Sequence, residues 1–183
     1  MDIKILLPIA QGTEEIEAVI PIDLFRRAEI NVLVAGDSYI VECSRGVKIY
    51  PDIKFDKLSI EQEFNAIVLP GGLAGVEILS NQKVLIDILK KHNQFKKIIG
   101  AICAAPLILA NNELLSANAK ITSHPSVKNQ LSKYNYSEEK VVIYKNIITS
   151  RGAGTAYEFA LTIIEQLKGK ELAQKIAKSI VLS

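Results

Sequence analysis

The chain has few cysteines, and the two that it has form no recognisable pattern. Cys43 and Cys103 lie in different segments without the spacing of metal ligands, and two cysteines cannot form a disulfide framework. We therefore expect no bound metal, no cofactor and no structural disulfides. A reducing compartment, the cytoplasm, fits this use of cysteine.

Long apolar runs and an excess of charge of one sign are also missing. No run approaches the roughly 18 residues that a membrane span needs, and the first residues lack a basic region ahead of a long apolar core. We therefore expect neither a membrane anchor nor a signal peptide. The formal net charge is only +2, with lysines spread along the chain, so we expect no nucleic-acid partner.

The sequence contains no linker, internal repeat or low-complexity segment that would divide it. Its 183 residues are 49% hydrophobic and 23% charged, which is ordinary for a globular protein and argues against disorder. A chain of this length suits one domain better than two. We therefore predict a single domain over residues 1–183.

What the sequence does contain is an alternation of short apolar runs with helical patterns. We predict strands at 3–9, 31–35, 66–69, 97–103, 120–123, 141–144 and 146–150, and a β-ribbon at 41–43 and 47–50. We predict helices at 14–27, capped by Thr13, and at 74–79, 83–92, 107–111, 155–167 and 171–179. Continuous apolar strands between helices predict an α/β three-layer sandwich, with a mostly parallel sheet covered on both faces.

The most informative segment is the apolar strand that ends at Cys103. Small residues follow it and a helical pattern begins at Leu107, which is the strand–turn–helix setting of a nucleophile elbow. A thiol there lies near a helix N-terminus, whose free N–H groups favour the thiolate. We predict a reactive, partly exposed thiol; the alternative is a small hydrophobic residue buried in the core.

Further candidates follow the ends of neighbouring strands, where sites form in parallel sheets. Glu17 lies one turn into the first helix and could face the thiol, whereas Glu14 and Glu15 suit the positive end of that helix. Gly71 and Gly72 end a buried strand. They either make a tight turn or present backbone amides to a substrate oxygen.

The histidines and the second cysteine have simpler interpretations. His124 follows a short strand at the same sheet edge and is a candidate catalytic imidazole, although a lone histidine is more often structural. His92 belongs to a polar helix end, where we expect it to be solvated. We expect Cys43 to pack within the ribbon and not to react.

Six motifs, in this order, resemble one family. They are EEIEAV at 14–19, CSRGV at 43–47, VLPGG at 68–72, AICAAP at 101–106, TSHP at 122–125 and TSRGAGT at 149–155. Together they resemble the ThiJ/PfpI superfamily, in the branch of the parkinsonism-associated deglycase, over nearly the whole chain. Two positions depart from that branch: Ala105 replaces a common glycine, and Ala153 replaces a proline.

The resemblance implies a flavodoxin-like fold and roles for three side chains. Cys103 would be the nucleophile, Glu17 its protonated hydrogen-bond partner and His124 a nearby imidazole. Related amidotransferases have a glutamate two residues after the histidine, but this chain has Ser126 there. A complete Cys-His-Glu triad is therefore not expected.

The resemblance also implies a binding surface and a partner. The amides of Gly72 and Ala104, beside Gly71, would form an oxyanion-type pocket. The protein would be a homodimer, with Arg27 and Arg45 near the interface and the mouth of the site.

Such a site fits addition of a thiolate to a small dicarbonyl, methylglyoxal or glyoxal. Glu17 would then move a proton between adjacent carbons to give a 2-hydroxy acid without glutathione. A deglycase would instead act on early glycated adducts of protein, and the residues do not choose between the two. Two alternatives stay open: a redox-sensing or stress-response protein with a chaperone-like role, whose cysteine is oxidised to sulfinate, and a PfpI-type cysteine peptidase.

Overall fold

Seven strands form the central sheet of the computed structural model, which describes residues 2–182. The strands along the chain are β1 (Lys4–Ile9), β2 (Asn31–Gly36), β3 (Val41–Glu42), β4 (Lys48–Ile49), β5 (Ile53–Lys54), β6 (Ala66–Leu69), β7 (Ile98–Ile102), β8 (Lys120–Ile121), β9 (Asn135–Tyr136), β10 (Val141–Tyr144) and β11 (Ile147–Ser150). The helices are α1 (Glu15–Arg27), α2 (Leu73–Ser80), α3 (Lys83–Gln94), α4 (Pro106–Asn111), α5 (Ala156–Lys168) and α6 (Lys170–Ser179).

The central sheet has the order β10-β11-β7-β6-β1-β2-β5. Its neighbours are parallel except for the β10–β11 hairpin. Because β1, β6 and β7 are parallel neighbours, their carboxyl ends meet at one edge of the sheet. This edge is where the chain leaves β1 for α1, β6 for α2 and β7 for α4, and it carries the candidate site.

Alternate residues of the strands supply two hydrophobic cores, one on each face of the sheet. Ile5 and Leu7 of β1 pack with α1, α5 and α6, whereas Leu6 packs with α2, α3 and α4. Each fully buried side chain of this kind stabilises the fold by roughly 1.5–3 kcal/mol. The predicted three-layer, mostly parallel α/β sandwich is confirmed.

Smaller elements follow the prediction less closely. The β-ribbon is present as the antiparallel pair β3–β4, but the short edge strand β5 was not predicted. The predicted strand at 120–123 is shorter, and as β8 it pairs with β9 outside the central sheet. Thr13 does not cap α1: its Oγ1 accepts a hydrogen bond from the Ala10 amide at 3.0 Å and closes the turn after β1.

His92 is buried, which corrects the expectation of a solvated side chain. It is 5% exposed at the end of α3, and its Nε2 donates to the Ile98 carbonyl oxygen at 3.1 Å. Burial lowers the pKa of His92 to about 4, and the nearby Lys97 acts in the same direction. The polar neighbours of His92 in sequence did not predict this, because the ring is buried where the end of α3 packs against the start of β7.

We expect His92 to make stability depend on pH. Because its pKa is lowered in the folded state, the unfolded chain takes up the proton first as the pH falls. The wild type should lose roughly 2–3 kcal/mol more of its free energy of unfolding between pH 7 and 4 than His92→Gln, which can still donate to Ile98. Urea unfolding at several pH values tests this, and parallel curves for the two proteins would contradict it.

None of the helices within residues 2–182 has the length and apolarity to cross a membrane.

Candidate active site

Cys103 lies directly after β7, at the turn that leads to α4. Its φ of 65° is in the left-handed region, which costs a non-glycine residue strain and is characteristic of an elbow. The turn is fixed because the Cys103 amide donates to Ser150 at 3.0 Å and its carbonyl accepts from the His124 amide at 2.9 Å. Cys103 is partly exposed and not enclosed in the core, as the strand–turn–helix pattern predicted.

Glu17 is the buried partner of this thiol. It is 1% exposed, and its carboxyl group forms a hydrogen bond with the Cys103 side chain. The Gly71 amide donates to Glu17 Oε2 at 2.8 Å and fixes the carboxyl group beside the sulfur. Glu17 reaches this position because it lies on the sheet-facing side of the first turn of α1.

Gly71 is needed for close approach. A Cβ at this position would lie 2.5 Å from Glu17 Oε2 and 2.6 Å from Cys103 Cβ. The sequence left open whether Gly71 makes a tight turn or presents its amide to a substrate oxygen, and in the structure this amide donates to Glu17. The residue therefore positions the acid and does not contribute a free oxyanion donor.

The thiol and the carboxyl group affect each other's ionisation. Burial raises the pKa of Glu17 from 4.5 to about 7, although its hydrogen bonds with Cys103 and Gly71 oppose this. Burial also raises the pKa of Cys103 to about 12, followed by the charge of Glu17 and the hydrogen bond to it. Between these pH values the pair shares one proton.

The helix terminus contributes less to the ionisation of the thiol than the carboxyl group beside it. The helix α4 begins only at Pro106 and has six residues, whereas the Glu17 carboxylate touches the sulfur. The amides of Gly72 and Ala104 donate to the sulfur and favour the thiolate. Transfer of the shared proton to Glu17 therefore gives a thiolate that is stabilised by two amides and a neutral carboxyl group.

The loop after β11 closes the other side of the pair, which sequence analysis did not predict. A Cβ at Gly152 would lie 3.7 Å from Glu17 Oε1 and 4.0 Å from Cys103 Sγ. Thr155 Oγ1 holds the loop, since it accepts from the Gly152 amide at 3.1 Å and donates to the Gly152 carbonyl at 2.9 Å. The TSRGAGT motif at 149–155 marks this loop in the sequence, but the motif does not predict which residues the loop contacts.

His124 lies at the rim of the site. The same Cβ position at Gly152 is 3.4 Å from His124 Cδ2, so the imidazole lies on the exposed side of Cys103 and Glu17. Its Nδ1 accepts from the Ser126 amide at 3.2 Å and lies 2.8 Å from Ser126 Oγ. A neutral ring therefore carries its proton on Nε2. Nδ1 is paired with a serine and not with a carboxylate.

The β-ribbon is attached to the start of α1 by acidic side chains. Ser44 Oγ donates to Glu14 Oε2 at 2.6 Å, and the Arg45 amide donates to Glu15 Oε1 at 3.0 Å. These bonds place the exposed Arg45 beside the first turn of α1, close in the fold to Glu17. Cys43 is 5% exposed there and packs against the core on the α1 side of the sheet, and burial raises its pKa to about 11.

Arg27 is not brought to the site of its own chain. It lies ten residues after Glu17 on α1, about 15 Å along the helix. Its Nε donates to Asp23 Oδ2 at 2.7 Å on an exposed surface. A role for Arg27 at the mouth of a site therefore requires a second copy of the chain.

Comparisons with known proteins agree with this architecture. The model of the DJ-1/PfpI family matches residues 3–166. The crystal structure of Drosophila melanogaster DJ-1beta is 42% identical, with a TM-score of 0.95 over 100% of both chains. Oxidized Toxoplasma gondii DJ-1 is 36% identical, with a TM-score of 0.93 over 99% of both chains.

A relative from Caenorhabditis elegans is described by its activity. It is the glutathione-independent glyoxalase DJR-1.2, which is 36% identical over 182 residues, 98% of this chain and 95% of the relative.

Proposed function

This chain belongs to the DJ-1/PfpI family, and we propose that it is a cysteine-dependent, glutathione-independent glyoxalase. Its substrates would be small dicarbonyls, methylglyoxal or glyoxal. The observation that carries the proposal is the buried Glu17 carboxyl group held against the Cys103 thiol by the Gly71 amide. The activity of the nematode relative supports the same chemistry.

The first step is addition of the thiolate to the aldehyde carbon. The proton shared by the pair moves to Glu17, and the Cys103 sulfur forms a bond to the carbon as the carbonyl π pair moves to oxygen. Glu17 then donates its proton to that oxygen, which gives a hemithioacetal and leaves Glu17 ionised. As the sulfur loses its charge, the amides of Gly72 and Ala104 no longer need to stabilise it. They can then donate hydrogen bonds to the oxygen and stabilise the negative charge that develops there.

The second step moves a proton between neighbouring carbons. The ionised Glu17 removes the proton from the former aldehyde carbon, which gives an enediolate as the electron pair of that bond moves toward the neighbouring carbonyl oxygen. Glu17 then returns the proton to the adjacent carbon while the hydroxyl proton passes from the first oxygen to the second, which gives a thioester of a 2-hydroxy acid. Water then displaces the sulfur and restores the proton of the pair. The net reaction converts methylglyoxal and water to lactate and a proton, with no oxidant or reductant.

Early adducts of dicarbonyls on amino or thiol groups are a second class of substrate for this site. A hemithioacetal or hemiaminal releases free dicarbonyl reversibly, so repair of an adduct and removal of the free dicarbonyl give the same final product. The two activities differ in the rate at which the adduct is lost. A glyoxalase removes the adduct only as fast as the adduct releases dicarbonyl spontaneously, whereas a deglycase removes it faster. A chemical trap for free dicarbonyl gives the rate of spontaneous release. Deglycase activity therefore requires the adduct to disappear faster with the protein than with this trap alone.

The experiment is methylglyoxal consumption without glutathione, with lactate measured enzymatically. We expect one lactate for each methylglyoxal, at a steady rate over many turnovers. Consumption that stops after one equivalent would contradict the proposal, because it would indicate only modification of the protein.

A redox sensor is the second candidate function. It is favoured by the partial exposure of Cys103 and by the oxidized state of the Toxoplasma relative. A protonated Glu17 would donate a hydrogen bond to a sulfinate at Cys103, as it does to the thiolate. Mild peroxide followed by intact-mass measurement would give an adduct of two oxygens, and a sensor without glyoxalase activity would show this adduct but no lactate.

We also propose a homodimer in a reducing cytoplasm. On α1, Ile16 and Val19 are 44% and 47% exposed, and Val47 of the ribbon turn is 47% exposed. Leu24, further along the same helix, is only 1% exposed and belongs to the core. The exposed apolar surface therefore consists of Ile16 and Val19 on α1 and Val47 in the ribbon turn. We propose that this surface forms the homodimer that the family resemblance implies.

The dimer gives a prediction for Val19→Glu. A charge placed in an apolar interface loses its hydration, so the variant should sediment as a monomer at micromolar concentration while the wild type sediments as a dimer. Phe95→Glu is the matched control, because Phe95 is 63% exposed after α3, on the opposite face of the sheet. A monomeric wild type would contradict the proposal.

A further inference from the structure

A cleft lies at the opposite end of the sheet from Cys103. It has a volume of about 570 Å³, within the range of small-molecule sites. It is formed by the end of α3, the segment 114–119 and the turn between β10 and β11, beside Ile98 at the start of β7. Because β7 separates Ile98 from Cys103, the cleft lies about 16 Å from the thiol.

The floor of this cleft is apolar and buried. Leu114, Leu115, Ala119 and Ile147 contribute to it, and each is at most 9% exposed. These side chains belong to the core on the α3 side of the sheet. The cleft is therefore an opening onto the hydrophobic core, and an apolar group that enters it is removed from water.

Side-chain amides hold the three walls together. Asn146 Nδ2 donates to Asn93 Oδ1 at 3.0 Å and to the Lys97 carbonyl at 3.0 Å, which joins the hairpin turn to the end of α3. Asn93 Nδ2 donates to the Leu114 carbonyl at 3.2 Å, which joins α3 to the third wall. The walls are thus fixed without a ligand, and binding would cost little ordering.

The rim of the cleft is positively charged. Lys96 and Lys145 line it, and neither forms an ion pair with any residue between 2 and 182. The lining contains no acidic residue. Lys145 Nζ lies 5.2 Å from the centre of the Tyr144 ring, and Ser116 Oγ donates to Tyr144 Oη at 3.3 Å, so an aromatic face and hydroxyl groups lie beside the charges.

We propose that this cleft binds a small molecule that combines a flat apolar body with one anionic group. The body would lie on the leucine floor and beside Tyr144, and the anion would be held by Lys96 and Lys145. Lactate and methylglyoxal have no such body and fill only a small part of the volume, so this ligand is neither substrate nor product of the Cys103 site. The proposal does not depend on the proposed function.

The test uses the fluorescent probe 8-anilinonaphthalene-1-sulfonate on the full chain. We expect the double variant Lys96→Ala/Lys145→Ala to bind it about tenfold more weakly than the wild type, since two charge-assisted contacts are lost. The matched control is Lys90→Ala/Lys133→Ala, which removes the same charge; Lys133 also lies over a tyrosine, at 5.1 Å from the ring centre of Tyr134, but outside the cleft. This control should change the affinity by less than twofold.

Two further measurements separate the cleft from other apolar surfaces. The uncharged analogue N-phenyl-1-naphthylamine should bind equally to the wild type and to Lys96→Ala/Lys145→Ala. Ser116→Trp, which fills the mouth from an exposed position, should weaken the binding of both probes, with thermal unfolding confirming that each variant is folded. Equal sulfonate affinity in the wild type and the double variant would overturn the proposal, as would amide chemical-shift changes that map away from the cleft.

Discussion

Cys103→Ser is expected to reduce methylglyoxal turnover to the uncatalysed rate. The serine hydroxyl is far less acidic than the thiol, so the ionised Glu17 cannot take its proton and the nucleophile is not formed. The change should preserve the turn, because the backbone amide and carbonyl of Cys103 hold it. Steady-state consumption of methylglyoxal, with lactate as the measured product, tests this.

Cys43→Ser is the matched control for this loss. Cys43 is buried in the ribbon, where its backbone is hydrogen-bonded to Val47 and Gly46, so its variant should keep the rate per folded molecule. If Cys103→Ser and Cys43→Ser lose the same activity, or if Cys103→Ser keeps it, the thiol is not the nucleophile.

Glu17→Gln is expected to lower the turnover by two orders of magnitude or more, which is the usual scale for loss of an acid–base group. Glutamine retains the size of the side chain and can donate a hydrogen bond to the sulfur, but it carries no transferable proton. Alkylation of Cys103 by iodoacetamide should change far less, because that reaction needs the thiolate but no proton transfer between carbons. The split between turnover and alkylation distinguishes an acid–base group from a packing residue.

Glu14→Gln is the control for the charge of this region. Glu14 lies just before α1, its side chain accepts from Ser44, and that side chain affects Glu17 through its charge. Its variant should therefore change turnover by only a few-fold. Intact turnover in Glu17→Gln would make Glu17 a packing residue, and the proton carrier would have to be sought at His124.

The sequence predicts the parts of the fold and site that depend on local pattern. The apolar strand before Cys103 and the small residues after it predict the elbow, and the structure adds the φ of 65° that such a turn requires. The first-turn position of Glu17 predicts that it faces the sheet edge. Both residues lie at the end of a strand or helix that the hydrophobic pattern of the sequence predicts clearly.

Contacts made across the sheet edge could not be predicted in the same way. The Gly71 amide binds Glu17, and Gly152 approaches both members of the pair, because three loops far apart in sequence converge there. His92 shows the same limit: its neighbours in sequence are polar, but the β7 backbone covers its ring. Pairings of this kind depend on tertiary packing, which residue type and periodicity do not encode.

The ionisation of the site follows from the same contacts. A helix terminus beside a cysteine suggests a thiol of low pKa, whereas the structure places a carboxyl group against the sulfur and buries both. The relevant species is then a pair with one proton, and Glu17 and Cys103 have to be considered together. For this reason we expect the activity to fall at low pH near the pKa of Glu17, and not near the pKa of a free thiol.

The measurement that tests this account most directly is the pH dependence of kcat/KM for methylglyoxal. Below the raised pKa of Glu17 both groups are protonated and no thiolate can form, so the rate should rise with pH through about 7 and then reach a plateau. In Glu17→Gln, the small remaining activity should lose this limb and follow ionisation of the thiol alone. A wild-type rate that shows no limb near pH 7 and rises only near the pKa of an ordinary cysteine, roughly 8.5, would contradict the shared proton and with it the proposed mechanism.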